Sequence, residues 1–86
     1  MIKINVTEQH IKNGIKGKPT KCPLALAISM ATSKPVSVGA YSYISVDGYI
    51  VKLPEKASDF RLRFDSGRKV KPFSFDLDIW YEHRYL

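Results

Sequence analysis

Cys22 is the residue of this chain best suited to covalent chemistry. It is the only cysteine, and Pro23 and an apolar run follow it. It is therefore predicted at the start of a helix, where a thiol pKa is lowered and a nucleophile is activated. The two histidines, His10 and His83, are the bases that could serve it. A cysteine that opens an apolar segment is, however, most often a small buried residue. We expect Cys22 to be buried and inert, and we expect no enzyme.

Three further patterns resemble catalytic or metal-binding motifs but lack essential members. Gly17-Lys18-Pro19-Thr20 has neither the preceding glycine nor the hydroxyl directly after the lysine that a phosphate loop requires. Asp76 and Asp78 share a strand face, as a carboxylate pair would, but two acids there are usually plain surface. Cys22 and the histidines lack the close spacing of a structural zinc site. We therefore expect no metal and no cofactor.

Positive charge is concentrated in the first half of the chain. Residues 1–45 contain six lysines and one acid, whereas residues 46–86 contain eight basic and seven acidic residues. Four of the lysines are clustered: Lys12, Lys16, Lys18 and Lys21. Together with free N–H groups at the start of a helix, this cluster is a candidate site for phosphates, carboxylates or nucleic acid. The alternative is a solvated loop that keeps a small protein in solution.

Alternating apolar residues and turn signals predict seven elements. The first three are a strand from Ile2 to Val6, a short helix with Thr7 as its N-cap, and a helix with Thr20 as its N-cap candidate and Pro23 in its first turn. The other four are a strand from Val36 to Val46, a strand after Asp47-Gly48, a helix between Pro54 and Gly67, and a strand from Phe73 to Ile79. Residues 57–64 also alternate as a strand would, and we choose the helix. The order βααββαβ predicts a two-layer α+β domain, a small antiparallel or mixed sheet with helices on one face.

Asp47-Gly48 predicts a two-residue type I′ turn, because both positions of that turn need positive φ. The turn places Val46 opposite Tyr49, Ile44 opposite Val51 and Ser42 opposite Leu53 on an apolar face. The other face then carries tyrosines and a lysine, and the last seven residues add three aromatic residues. Such residues are enriched at interface hot spots. The predicted partner-binding surface is Tyr41, Tyr43, Lys52, Trp80, Tyr81 and Arg84. It would be contiguous if the last strand neighbours the hairpin.

The length and composition limit the classes of protein. The chain has 86 residues, of which 44% are hydrophobic and 26% charged, with a net charge of +6. This predicts one domain over residues 1–86, with 80–86 as a C-terminal tail. No apolar stretch has the length of a membrane span, and Met1 is not followed by a signal-peptide pattern. One cysteine fits a reducing compartment. We expect a cytoplasmic protein without a membrane partner.

Two runs resemble a family of small uncharacterised proteins of phages and prophages. They are the Cys-Pro-Leu-Ala-Leu-Ala run from Cys22 to Ala27 and the Pro-Phe-Ser-Phe run from Pro72 to Phe75. The resemblance extends from about Thr7 to Leu77 and supplies no catalytic residue. It implies a mobile-element origin, a helix between Pro54 and Gly67, and action by binding a host factor in the host cytoplasm, including components of antiviral defence.

Two functions are consistent with these residues. The first is a small non-enzymatic module that binds and modulates or inhibits a host protein complex through the aromatic surface. The alternative is a nucleic-acid-binding accessory protein that contacts phosphates with the clustered lysines and stacks bases on Tyr41 and Tyr43. A second copy of the chain covering the tyrosine face, which would make a homodimer, competes with the first.

Overall fold

The described part of the chain contains three helices and two small antiparallel sheets. The computed structural model describes residues 2–39 and 43–78. The elements are β1 (Ile2–Val6), α1 (Glu8–Asn13), α2 (Pro23–Thr32), β2 (Val36–Val38), β3 (Tyr43–Val46), β4 (Tyr49–Lys52), α3 (Glu55–Asp65) and β5 (Phe73–Leu77). β1 pairs with β5, and β2, β3 and β4 form the other sheet in that order. The predicted α+β class and the order of helices and strands are confirmed, although two sheets replace the one expected.

The region predicted as one strand from Val36 to Val46 folds back on itself as β2 and β3. Val36 pairs with Val46, and Val38 pairs with Ile44. The amide of Gly39 donates to the carbonyl of Tyr43 at 3.1 Å and closes the connection. The predicted apolar face is still formed, because side chains alternate between the two faces of a strand. Even-numbered residues of β2 pair with even-numbered residues of β3, so Val36, Val38, Ile44 and Val46 lie on one side of the sheet. All four are buried.

The second hairpin has the predicted turn and register. Asp47 and Gly48 have φ of 52° and 85°, as a type I′ turn requires. Val46 pairs with Tyr49, and Ile44 pairs with Val51. Ser42, the predicted partner of Leu53, lies outside the described residues.

Helices α1 and α2 begin at side-chain caps. The Thr7 hydroxyl accepts from the His10 amide, and the Thr7 amide donates to His10 Nδ1 at 3.0 Å, which confirms Thr7 as an N-cap. Helix α2 is capped by Cys22, whose Sγ accepts from the Ala25 amide at 3.4 Å. The expectation of Thr20 as the cap was wrong because Pro23 occupies the first helical position, and the cap is the residue directly before it.

Gly14 allows the end of α1 to lie directly against the start of α2. A Cβ at Gly14 would lie 2.5 Å from Pro23 Cδ, which is inside any tolerated contact. The first two helices therefore meet at a corner that accepts no side chain.

The segment between Pro54 and Gly67 is the helix α3, as chosen over a strand. Its Ala57 and Phe60 are buried in the core. β5 confirms the alternation that begins at Phe73, since Phe75 and Leu77 are buried and Asp76 is exposed. Ile79, the predicted end of this strand, lies outside the described residues.

Helix α2 occupies the centre of the molecule. It packs against β1 of one sheet, β2 of the other, and the helices α1 and α3. Leu24 and Ile28 are fully buried, and they share one core with apolar residues of both sheets. Across residues 2–39 and 43–78, no helix has the length and apolar character needed to cross a bilayer.

We expect Gly48→Ala to lower the free energy of unfolding by about 1 kcal/mol or more, because the turn holds this position at positive φ. A Cβ there meets no atom within 4 Å, so the cost is conformational and not steric. Gly39→Ala is the matched control, because Gly39 has no positive φ and its Cβ would lie 3.4 Å from the Tyr43 carbonyl oxygen. Urea denaturation measures both. Equal effects at the two glycines would contradict the turn assignment.

Candidate functional site

Cys22 and His10 have side chains that could take part in catalysis. Both side chains instead form hydrogen bonds at helix N-termini. Cys22 is 4% exposed, and its thiol accepts the Ala25 N–H. Burial raises the pKa of this thiol above its usual value, an effect larger than the opposing backbone hydrogen bonds from Ala25 and Leu24. A thiol that keeps its proton at neutral pH is a poor nucleophile. His10 is 7% exposed, with Nδ1 bonded to the Thr7 amide, and His83 lies outside the described residues.

Asp76 and Asp78 are exposed, as expected of surface acids. Asp76 pairs in register with Lys3 across the β1–β5 ladder. Within the described ranges, no group of three or more His, Cys, Asp or Glu residues is placed to hold a metal ion.

The four clustered lysines lie beside different features of the fold. Three of them belong to the loop between α1 and α2, which is closed by a hydrogen bond from the Ile15 amide to the Lys21 carbonyl at 2.8 Å. Lys21 lines a cleft between α1 and α2, and Lys18 lines a pocket of about 200 Å³ beside Cys22. Lys16 Nζ lies 3.1 Å from where a Cβ of Gly67 would stand, at the end of α3. Lys12 is exposed on α1.

The carboxylate of Asp65 lies close to the start of α2. Asp65 and Arg61 line the same pocket as Lys18, and Asp65 Oδ1 accepts from the Gly17 amide at 3.4 Å. Arg61 and Asp65 also form an ion pair at 3.6 Å. The Gly17 amide and the Arg61 guanidinium near this end of the helix therefore already have a carboxylate partner. Anion binding by the clustered lysines stays a prediction.

The outer face of the β3–β4 hairpin carries two of the six residues of the predicted aromatic surface. Tyr43 is 50% exposed and pairs in register with Lys52, which is also exposed. Tyr41, Trp80, Tyr81 and Arg84 lie outside the described residues. The strand that leads to the tail, β5, pairs with β1 and belongs to the other sheet. The ladder that would have joined the tail to the hairpin is therefore not formed in the described part of the chain.

An apolar cleft between α1 and α2 was not predicted. It has a volume of about 460 Å³, and its apolar lining is Ile15, Leu26 and Met30. Met30 is 73% exposed and Ile15 is 46% exposed. The signal was present in the spacing of four between Leu26 and Met30, which places both side chains on one side of the helix. Thr7, Gln9, His10, Asn13 and Lys21 complete the lining.

A second unpredicted surface lies between α3 and the segment that leads into β5. We call it the basic groove, and its volume is about 500 Å³. Its lining residues are Lys56, Asp59, Phe60, Arg63, Lys69, Val70, Lys71, Pro72 and Phe73. Arg61 lines the pocket beside Cys22 instead, so Arg61 and Arg63 lie on different sides of α3. The signal that could have found the groove is the basic run from Arg68 to Lys71.

Comparison of the chain with protein-family models, with curated proteins and with solved structures finds no match.

We expect the Cys22 thiol to react with a disulfide reagent on the order of 100-fold more slowly in the native protein than in the urea-unfolded protein, because labelling requires local opening of the buried helix start. The chain contains a single cysteine, so the unfolded protein is its own control. Absorbance of the released thiolate follows both reactions. Equal rates would show that the helix start is open to solvent.

Proposed function

We propose that this protein is a small non-enzymatic module that binds and modulates a host protein complex, and that the cleft between α1 and α2 is its docking site. The observation that carries the proposal is the exposure of Met30, 73%, beside Ile15 in a cleft of about 460 Å³. A flexible, polarisable methionine at the surface of an apolar cleft is typical of protein-binding grooves. Burying such a side chain against a partner favours association.

The shape and charge of the cleft favour an amphipathic helix with acidic residues as the occupant. Two helices form its walls, and a third helix can lay its apolar side between them. α2 carries no charged residue, and Lys21 is the only charged residue of the lining. Lys12 is exposed on α1, one residue before Asn13 of the lining. An acidic flank on the incoming helix would complement both lysines.

The host and antiviral part of the proposal is supported by the resemblance to small phage and prophage proteins alone. Small non-enzymatic proteins of mobile elements often act by binding a host factor, and the resemblance makes a host complex the expected partner. The outer hairpin face, with Tyr43 beside Lys52, is the second candidate surface for the same function.

We expect Met30→Glu to reduce capture of the host complex at least about tenfold. The substitution removes the apolar contact that Met30 would make with the partner, and its negative charge repels an acidic partner. The experiment uses the tagged full chain in nuclease-treated bacterial lysate. Leu62→Glu is the matched control, since Leu62 is an exposed apolar residue, at 57%, on α3 and outside the cleft lining. Circular dichroism and thermal unfolding establish that both variants are folded.

Three other outcomes would contradict the cleft as the docking site for a host complex. Capture that survives Met30→Glu but is lost with Tyr43→Ala would move the site to the hairpin face. Equal loss with Leu62→Glu would show a non-specific effect of added charge. A stable dimer by light scattering that Met30→Glu converts to a monomer would show that the cleft binds a second copy of the chain.

A further inference from the structure

The basic groove collects four cationic side chains from two segments of the chain. Lys56 and Arg63 lie on α3, seven residues and about 10 Å apart along the helix. Lys69 and Lys71 come from the segment before β5 and line the same groove. All four residues are exposed, and Asp59 is the single acid among them.

These cations are not explained by ion pairing within the described chain. The two ion pairs among residues 2–39 and 43–78 join Lys34 to Asp47 and Arg61 to Asp65. Neither pair includes a residue of the groove. Like charges brought together on a surface repel each other, so this arrangement costs free energy unless an anion binds there.

The floor of the groove is aromatic. The rings of Phe60 and Phe73 lie 4.8 Å apart between centroids, and Lys56 Nζ stands 6.0 Å from the Phe73 centroid. Phe60 is buried and Phe73 is half-buried, and both line the groove. An aromatic face next to cations is the arrangement with which proteins hold single-stranded nucleic acid, the base stacking on the ring and the phosphates meeting the cations.

The positive surface continues beyond the groove. Arg68 and Lys69 directly follow Gly67, and Lys16 Nζ stands 3.1 Å from the place of a Cβ at Gly67. Cations therefore extend from the groove past the end of α3 to the loop between α1 and α2. This surface is longer than a single anion needs, and it suits a polymer with a charge on every unit.

We propose that the basic groove binds single-stranded nucleic acid, with Lys56, Arg63, Lys69 and Lys71 on the phosphates and a base stacked on Phe73. Stacking on an aromatic side chain needs an unpaired base, so a single strand is the expected ligand. The groove shares no lining residue with the cleft between α1 and α2, so this proposal is independent of the proposed function.

The test is the salt dependence of binding to a fluorescent dT15 oligonucleotide, measured by anisotropy with the full chain. Four phosphate contacts predict a slope of log K against log salt of about −2.8, which is about a 50-fold loss of affinity between 50 and 200 mM salt. The Lys69→Gln/Lys71→Gln double variant should bring the slope to about −1.4. Lys12→Gln/Lys21→Gln removes the same charge outside the groove and should leave the slope of the wild type.

Phe73→Leu tests the stacking. It keeps an apolar side chain in the core and removes the ring, so affinity should fall about tenfold with the slope unchanged. Thermal unfolding verifies the fold of this variant, and the lysine variants test the groove even if the leucine variant does not fold. An rU15 oligonucleotide measured in parallel distinguishes RNA from DNA as the preferred strand.

Four results would overturn the proposal. The first is no binding of either oligonucleotide at 50 mM salt. The second is a larger change of slope in Lys12→Gln/Lys21→Gln than in Lys69→Gln/Lys71→Gln, which would assign binding to the clustered lysines. The third is a duplex bound as tightly as the single strand. The last is polyglutamate that competes as well as unlabelled dT15, which would make the groove a site for acidic proteins.

Discussion

Burial of helix α2 is the interaction on which the rest of the structure depends. The two sheets share no ladder in the described chain, and α2 packs against a strand of each. Its Leu24 and Ile28 are fully buried, and each stabilises the fold by roughly 1.5–3 kcal/mol. Net stabilities of domains are about 5–15 kcal/mol, so these two side chains account for a large share. The helix is therefore a packing partner that the two sheets share.

The local elements could be predicted from the sequence because short-range chemistry determines them. Thr7 caps a helix through its own neighbours, and Asp47-Gly48 forms a turn through its own dihedral angles. The pairing of β1 with β5 could not be predicted, since alternation states which face of a strand is buried and not which strand lies beside it. The fold-back between β2 and β3 escaped prediction for a related reason. Val36 and Ile44 lie on the same face of the folded-back pair, as they would in one continuous strand. The alternation of apolar residues is therefore the same in both arrangements.

The candidate surfaces were harder to predict than the elements that carry them. The basic groove needs Lys56 and Lys71, which come together only because α3 and β5 meet through Phe60 and Phe73. The cleft between α1 and α2 depends on the corner at Gly14, where no side chain separates the helices. The sequence showed where lysines are dense, but the fold directs Lys16, Lys18 and Lys21 to three places. A cluster of lysines along the sequence is therefore not a cluster of lysines on the surface.

The pairing of β1 with β5 also determines when the fold can be completed during synthesis. Residues 7 to 72 separate the two strands, and closing a loop of that length costs about 4 kcal/mol of chain entropy. The hairpin of β3 and β4 closes over two residues and can form as soon as it is made. At about 5–20 residues per second, a ribosome needs roughly 3–13 s to reach β5 after finishing β1. For that interval the backbone edge of β1 that pairs with β5 is without its partner strand. A nascent chain of this protein therefore presents an unpaired strand edge until β5 is made.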